Sequence, residues 1–122
     1  MLEKVYDFLR KNGTFYIATI DGDKPKLRPF GAVLLFEDKL YFVTSNNKNV
    51  YNQLVANPNT QICVCDTNRK WLRLSGLAIF EKDEKIKQKM LDNCPVLLPR
   101  YKTADNPEME IFYLKNVKVE WY

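Results

Sequence analysis

Thr14-Phe15-Tyr16-Ile17-Ala18-Thr19-Ile20, followed at once by Asp21-Gly22-Asp23-Lys24-Pro25, decides the fold class. The first run is rich in β-branched and aromatic residues and reads as a strand. The second is strong turn chemistry. A tight turn after a strand sends the chain back antiparallel, so residues 26–36 form the expected second strand. Pro29 and Gly31 interrupt it, which suits an edge, a bulge or a close ligand approach.

Outward from this hairpin the pattern repeats. Glu37-Asp38 turns into a strand over residues 39–44. A strand over 60–66 turns at Thr67-Asn68-Arg69 into another over 70–80, and residues 111–122 form the last, with a bend at Lys115-Asn116. Leu2, Val5, Tyr6 and Leu9 share a helical face near residues 2–11, and Asn12-Gly13 stops it. Val50, Leu54 and Val55 predict a short helix ended by Asn57-Pro58. Ile86, Met90 and Leu91 predict an amphipathic helix over 83–93. Residues 94–107 hold three prolines and no clear period, and read as a loop with at most a helical turn. The expectation is a mainly β fold of about six antiparallel strands and about three flanking helices. Such sets commonly close into a small barrel, which removes exposed edges.

The 122 residues suit one domain spanning 1–122. Net charge is +4, from 19 basic and 15 acidic residues, and the basic residues are interleaved with apolar ones. A small anion needs only a few such charges, whereas a nucleic-acid surface needs a broader basic face. There is no histidine and there are three cysteines. That excludes Ser-His-Asp and Cys-His catalysis in their usual forms and argues against a zinc site. Cys63 and Cys65 alternate on one strand face, and all three thiols are expected to be buried or half-buried. Any redox chemistry is expected to come from a cofactor. No stretch approaches a membrane span or a signal peptide, so a cytoplasmic protein is expected.

Four segments could carry chemistry. Arg28-Pro29-Phe30-Gly31 pairs a guanidinium able to fork onto a phosphate with backbone released from regular pairing; by itself it reads sooner as a surface arginine beside a bulge. Thr44-Ser45-Asn46-Asn47-Lys48 gathers hydroxyls, amides and a lysine at a helix start, as an anion site, a simple N-cap, or both. Trp71 and Arg73 share one strand face, opposite Leu72 and Leu74, and could wall a ring pocket or pack across strands. Phe112, Tyr113, Trp121 and Tyr122 suit core or a subunit surface.

In order and spacing, these segments resemble the FMN-binding split-barrel family that includes the pyridoxamine 5′-phosphate oxidase-like proteins. The resemblance runs from Phe15-Tyr16-Ile17-Ala18-Thr19 through Leu40-Tyr41-Phe42-Val43-Thr44-Ser45 and Lys48-Asn49-Val50-Tyr51 to Trp71-Leu72-Arg73-Leu74-Ser75-Gly76 and Ile111-Phe112-Tyr113-Leu114-Lys115. It implies a six-stranded antiparallel split barrel and a homodimer with FMN between the subunits. By the same resemblance, Arg28 and Lys48 would hold the flavin phosphate. Thr44 and Ser45 would lie near the phosphate and ribityl chain, and Pro29, Phe30 and Gly31 beside the flavin ring. Trp71 and Arg73 would reach toward the ring, and the partner would complete the pocket, with Tyr101 and Trp121 as its candidates. True pyridoxamine 5′-phosphate oxidases carry a longer C-terminal part whose arginine and histidine grip the substrate. This chain departs from that pattern and resembles instead the short general-stress and nitroimidazole-resistance-like members. The implied activity is that of a small FMN-dependent oxidoreductase acting on a small-molecule substrate or electron acceptor, with no nucleic acid, membrane or metal partner. A deazaflavin cofactor, a flavin carrier and a barrel binding single-stranded nucleic acid are the alternatives.

Overall fold

A computed structural model describes residues 2–122. The order is α1 (Leu2–Asn12), β1 (Phe15–Asp21), β2 (Lys24–Phe30), β3 (Leu34–Phe36), β4 (Lys39–Ser45), α2 (Asn49–Ala56), β5 (Asn59–Cys65), β6 (Trp71–Glu81), α3 (Glu84–Asn93), a 3-10 turn (Pro95–Leu97), α4 (Leu98–Tyr101) and β7 (Met109–Trp121). All strands belong to one antiparallel sheet, in the order β2-β1-β5-β6-β7-β4-β3.

The described residues therefore hold seven strands and four helices, where the sequence predicted about six and three. The extra strand comes from the expected second strand, which breaks after Phe30. Phe30 is the last β2 residue paired with β1, and pairing resumes only at Leu34, opposite Tyr41 of β4. The two halves lie at opposite edges of the sheet yet are joined by Gly31, Ala32 and Val33 alone. Four Cα steps span at most about 14 Å. The sheet is thus rolled until its edges nearly meet, but they do not pair: the barrel is split, with the gap beside Gly31. Pro29 sits on the edge strand, where its missing N–H costs no ladder bond. The extra helix is α4, inside the segment read as a loop, where prolines at positions 95 and 99 supply helix-start geometry rather than breaks.

Two cores flank the sheet. Inside the barrel, Phe15, Ile17, Phe42, Ile62, Leu72, Leu74 and Phe112 pack with Val5 and Leu9 of α1 and Val50 and Leu54 of α2. Behind β4 and β7, Tyr41, Val43, Met109 and Ile111 pack against Ile86 and Met90 of α3 and Tyr101 of α4. Asp83 caps α3, its carboxylate accepting from the N–H groups of Lys85 and Ile86. The outward face of β2, β1, β5 and β6 stays uncovered and carries Leu27 (69% exposed) and Tyr16 (48%). Cys63 and Cys65 lie exposed on this face and only Cys94 is buried, because the odd positions of β5 alternate away from the core. At the expected bend, Asn116 has φ 56° and the β6–β7 register shifts between Ser75 and Leu77. Among the described residues, no helix is long and apolar enough to cross a membrane.

Candidate functional site

The gap in the barrel opens into a cleft of about 340 Å³, lined by β2 and the crossover after it, the end of β4, the start of α2, and the Val96–Tyr101 segment. Pro29, Phe30, Gly31, Thr44 and Lys48 meet there with Arg28. They come together because the chain crosses from one sheet edge to the other at Gly31, directly beside the strand that feeds α2.

Arg28 pairs with Ile17 across the β1–β2 ladder, so its side chain follows Ile17 to the inner face. There Nη1 donates to the Ile17 carbonyl at 3.3 Å and to Thr19 Oγ1 at 2.8 Å, and Nη2 donates to Gln53 Oε1 at 2.8 Å. Thr19 donates in turn to Gln53 Oε1 at 2.6 Å. Every one of these partners is neutral. Loss of water around the half-buried guanidinium pulls its pKa below the ordinary value, and an arginine still stays charged. Nε–H and one Nη2–H remain for a ligand.

Lys48 occupies the N-cap position of α2 and supplies no side-chain cap, so the expected Ser or Asn cap is not formed. The Tyr51 N–H turns back to the Lys48 carbonyl at 3.1 Å, and no side chain caps the N–H groups of Asn49 and Val50, which leaves them for an anion with the helix dipole behind them. Thr44 is 3% exposed and lines the cleft; no fully buried polar side-chain atom lacks a partner among the described residues, so its hydroxyl, which makes no hydrogen bond there, keeps access to the cleft surface. Ser45, fully buried, stands behind the lining: its Oγ lies 2.7 Å from the Tyr101 hydroxyl and accepts from Arg100 Nε at 3.3 Å and Nη2 at 3.0 Å. Arg28, Lys48 and Arg100 thus border one cleft whose lining holds no carboxylate. Phe30, Ala32, Val43, Val50, Val96 and Leu97 supply an apolar wall.

Trp71 and Arg73 are not in this cleft. They line a shallow groove on the outward face with Tyr16, Leu27 and Cys63. Trp71 stacks on Tyr122, with centroids 4.2 Å apart and planes at 14°, and Arg73 lies over both rings and 3.8 Å from Glu120. Tyr101, a candidate for the partner's share, lines the chain's own cleft, whereas Trp121 packs edge-on against Phe8. Sequence reasoning missed Thr19, Gln53 and Arg100. Thr19 and Gln53 sit in ordinary strand and helix patterns, and Arg100 lies in the aperiodic segment, so no local signal marked them. Among the described residues, no group of three or more His, Cys, Asp or Glu side chains could hold a metal. The cleft lacks a free acid or base pair, so its own chemistry is binding: it fits an anionic group joined to a flat, apolar body, and its volume falls in the range of small-ligand sites.

The model of the pyridoxamine 5′-phosphate oxidase family matches residues 1–120. A NimC/NimA family protein from Clostridium acetobutylicum is similar, with a TM-score of 0.95 and 31% identity over 99% of this chain and 86% of that one. General stress protein 26 from Bacillus anthracis str. Sterne shares the fold at a TM-score of 0.82 and 18% identity, over 99% of this chain and 94% of its own. So does an F420 reductase, at a TM-score of 0.69 and 19% identity, over 93% and 94%. No curated protein matches the sequence.

Proposed function

The chain belongs to the pyridoxamine 5′-phosphate oxidase family, and from that premise we propose that it binds FMN in the barrel gap and works as a small homodimeric FMN-dependent oxidoreductase. The observation that carries the reading is the cleft with three cations, the Thr44 hydroxyl and a helix start without a side-chain cap, and no carboxylate. Arg28 is half-buried among neutral partners, and the lining offers neither it nor the exposed Lys48 and Arg100 a counter-ion, which favours an anionic ligand. A phosphate monoester, with nearly two negative charges and three acceptor oxygens, meets that need.

In this reading Arg28 and Lys48 hold the phosphate, with the Thr44 hydroxyl donating beside them. Phe30 and Val43 exclude water from the ring, and the Gly31 backbone lets it approach closely. FMN, when bound, supplies hydride or electron transfer, and the protein supplies position and charge. The reading is not that of a pyridoxamine 5′-phosphate oxidase in activity, since no histidine is present to grip that substrate. The uncovered face bearing Leu27, Tyr16 and the Trp71–Tyr122 stack supports the second subunit, because contiguous exposed apolar surface marks an interaction site.

The test is the visible spectrum of the purified protein, followed by titration with FMN, riboflavin and F420. Flavin absorbance and tighter binding of FMN than of riboflavin support the proposal. A tighter grip on F420 would reassign the cofactor to the deazaflavin class. A protein that stays colourless with excess FMN, and instead binds single-stranded nucleic acid with steep salt dependence, would overturn it in favour of a barrel that binds single-stranded nucleic acid.

A further inference from the structure

We propose that Arg100 is a third phosphate ligand and that Ser45 aims it rather than touching the phosphate itself; this rests on the flavin reading above. Arg100 reaches the cleft from α4, and both Nε and Nη2 donate to Ser45 Oγ. A serine hydroxyl has one proton and two lone pairs. Arginine can only donate, so its two bonds take both lone pairs. The remaining Ser45 proton must then go to the Tyr101 oxygen at 2.7 Å. The hydroxyl is saturated, at 0% exposure, and presents nothing to a ligand.

The direction of that chain has two consequences. Tyr101, which also lines the cleft, keeps its own proton free of Ser45. Arg100 keeps both Nη1 protons and one on Nη2, so it offers the end of its fork, whereas Arg28 offers Nε–H and one Nη2–H. Two guanidinium edges on different walls suit a phosphate with three terminal oxygens. No carboxylate in the lining competes for Arg100.

The experiment measures FMN and riboflavin affinity for wild type, Arg100→Gln, Arg100→Lys, Ser45→Ala and the Ser45→Ala/Arg100→Gln double variant, with circular dichroism of each. Arg100 is exposed, so its variants keep the fold. Arg100→Gln should weaken FMN on the order of 10-fold and leave riboflavin unchanged. Arg100→Lys should recover only part of the loss, since it lacks the fork. Ser45→Ala should weaken FMN, and the double variant should be no weaker than Arg100→Gln alone. Wild type that binds FMN no better than riboflavin sinks the flavin-phosphate reading and this proposal with it. Strong phosphate preference in wild type that persists in Arg100→Gln overturns the assignment of Arg100 alone. Additive losses in the double variant overturn the positioning role of Ser45.

Discussion

Arg28 donates to the Gln53 side-chain carbonyl at 2.8 Å and so ties the edge strand β2 to α2. Thr19 closes the triangle, accepting from Arg28 and donating to Gln53. Thr19→Val keeps the shape and removes both bonds. It should cost about 1 kcal/mol of stability and lower FMN affinity several-fold by freeing the guanidinium, with riboflavin affinity unchanged. Denaturant unfolding and flavin titration measure the two effects.

Arg28→Ala with Lys48→Ala removes two of the three cations in the cleft. A hydrogen bond to a charged group contributes about 1.5–3 kcal/mol, so FMN affinity should fall by about 100-fold or more and the purified protein should lose its colour. Unchanged affinity would move the phosphate elsewhere.

Leu27 is 69% exposed on the uncovered sheet face. Leu27→Asp places a charge where a second subunit is proposed to pack, at no cost to the monomer core. Sedimentation should show the mass falling from two chains to one. A wild-type chain that already sediments as a monomer refutes the dimer.

Tyr41 is buried, and its hydroxyl donates to Glu81 at 3.2 Å. Burial, and then the Glu81 charge, push its pKa well above the ordinary tyrosine value. An unfolded tyrosine ionises near pH ~10. Above that pH the unfolded chain binds fewer protons than the folded one, so stability falls as pH rises. The contribution of Tyr41 is complete below about pH 10 and is lost as pH climbs toward the folded value. Tyr41→Phe should cost about 1 kcal/mol at neutral pH and show a flatter decline between pH ~8 and ~11. Urea unfolding at both pH values checks the slope.

Gly76 sits at the β6–β7 register shift, where an added Cβ would lie 3.1 Å from the Lys115 carbonyl oxygen and 3.2 Å from Leu114 Cβ. The first neighbour is backbone in a central ladder and gives way poorly. Gly76→Ala should destabilise by about 1–3 kcal/mol, read as a drop in Tm.

The sequence by itself determined the antiparallel β class, three of the helices and the cleft residues from Arg28 to Gly31 with Thr44 and Lys48. These rest on local chemistry: alternation, turn residues and helical spacing act over a few positions and survive in any context. The break after Phe30 was visible only as Pro29 and Gly31. Whether they mark a bulge or a crossing to the far edge depends on how strongly the whole sheet is rolled. The second reading prevailed because β4 and β7 bring the far edge within reach.

Only the tertiary structure decided which polar groups open onto the cleft. Ser45 and Thr44 are neighbours of like chemistry, yet one hydroxyl is saturated by Arg100 and Tyr101, 55 and 56 residues away, while the other is left open. Thr19, Gln53 and Arg100 carried no local mark because their roles are set by partners distant in the chain. Trp71 and Arg73 share one strand face, as their alternation predicts, and the roll of the sheet turns that face outward, away from this chain's own gap. Hydrogen-bond saturation and the facing of a side chain are properties of the closed shape, and a string of residues fixes them only after it has folded.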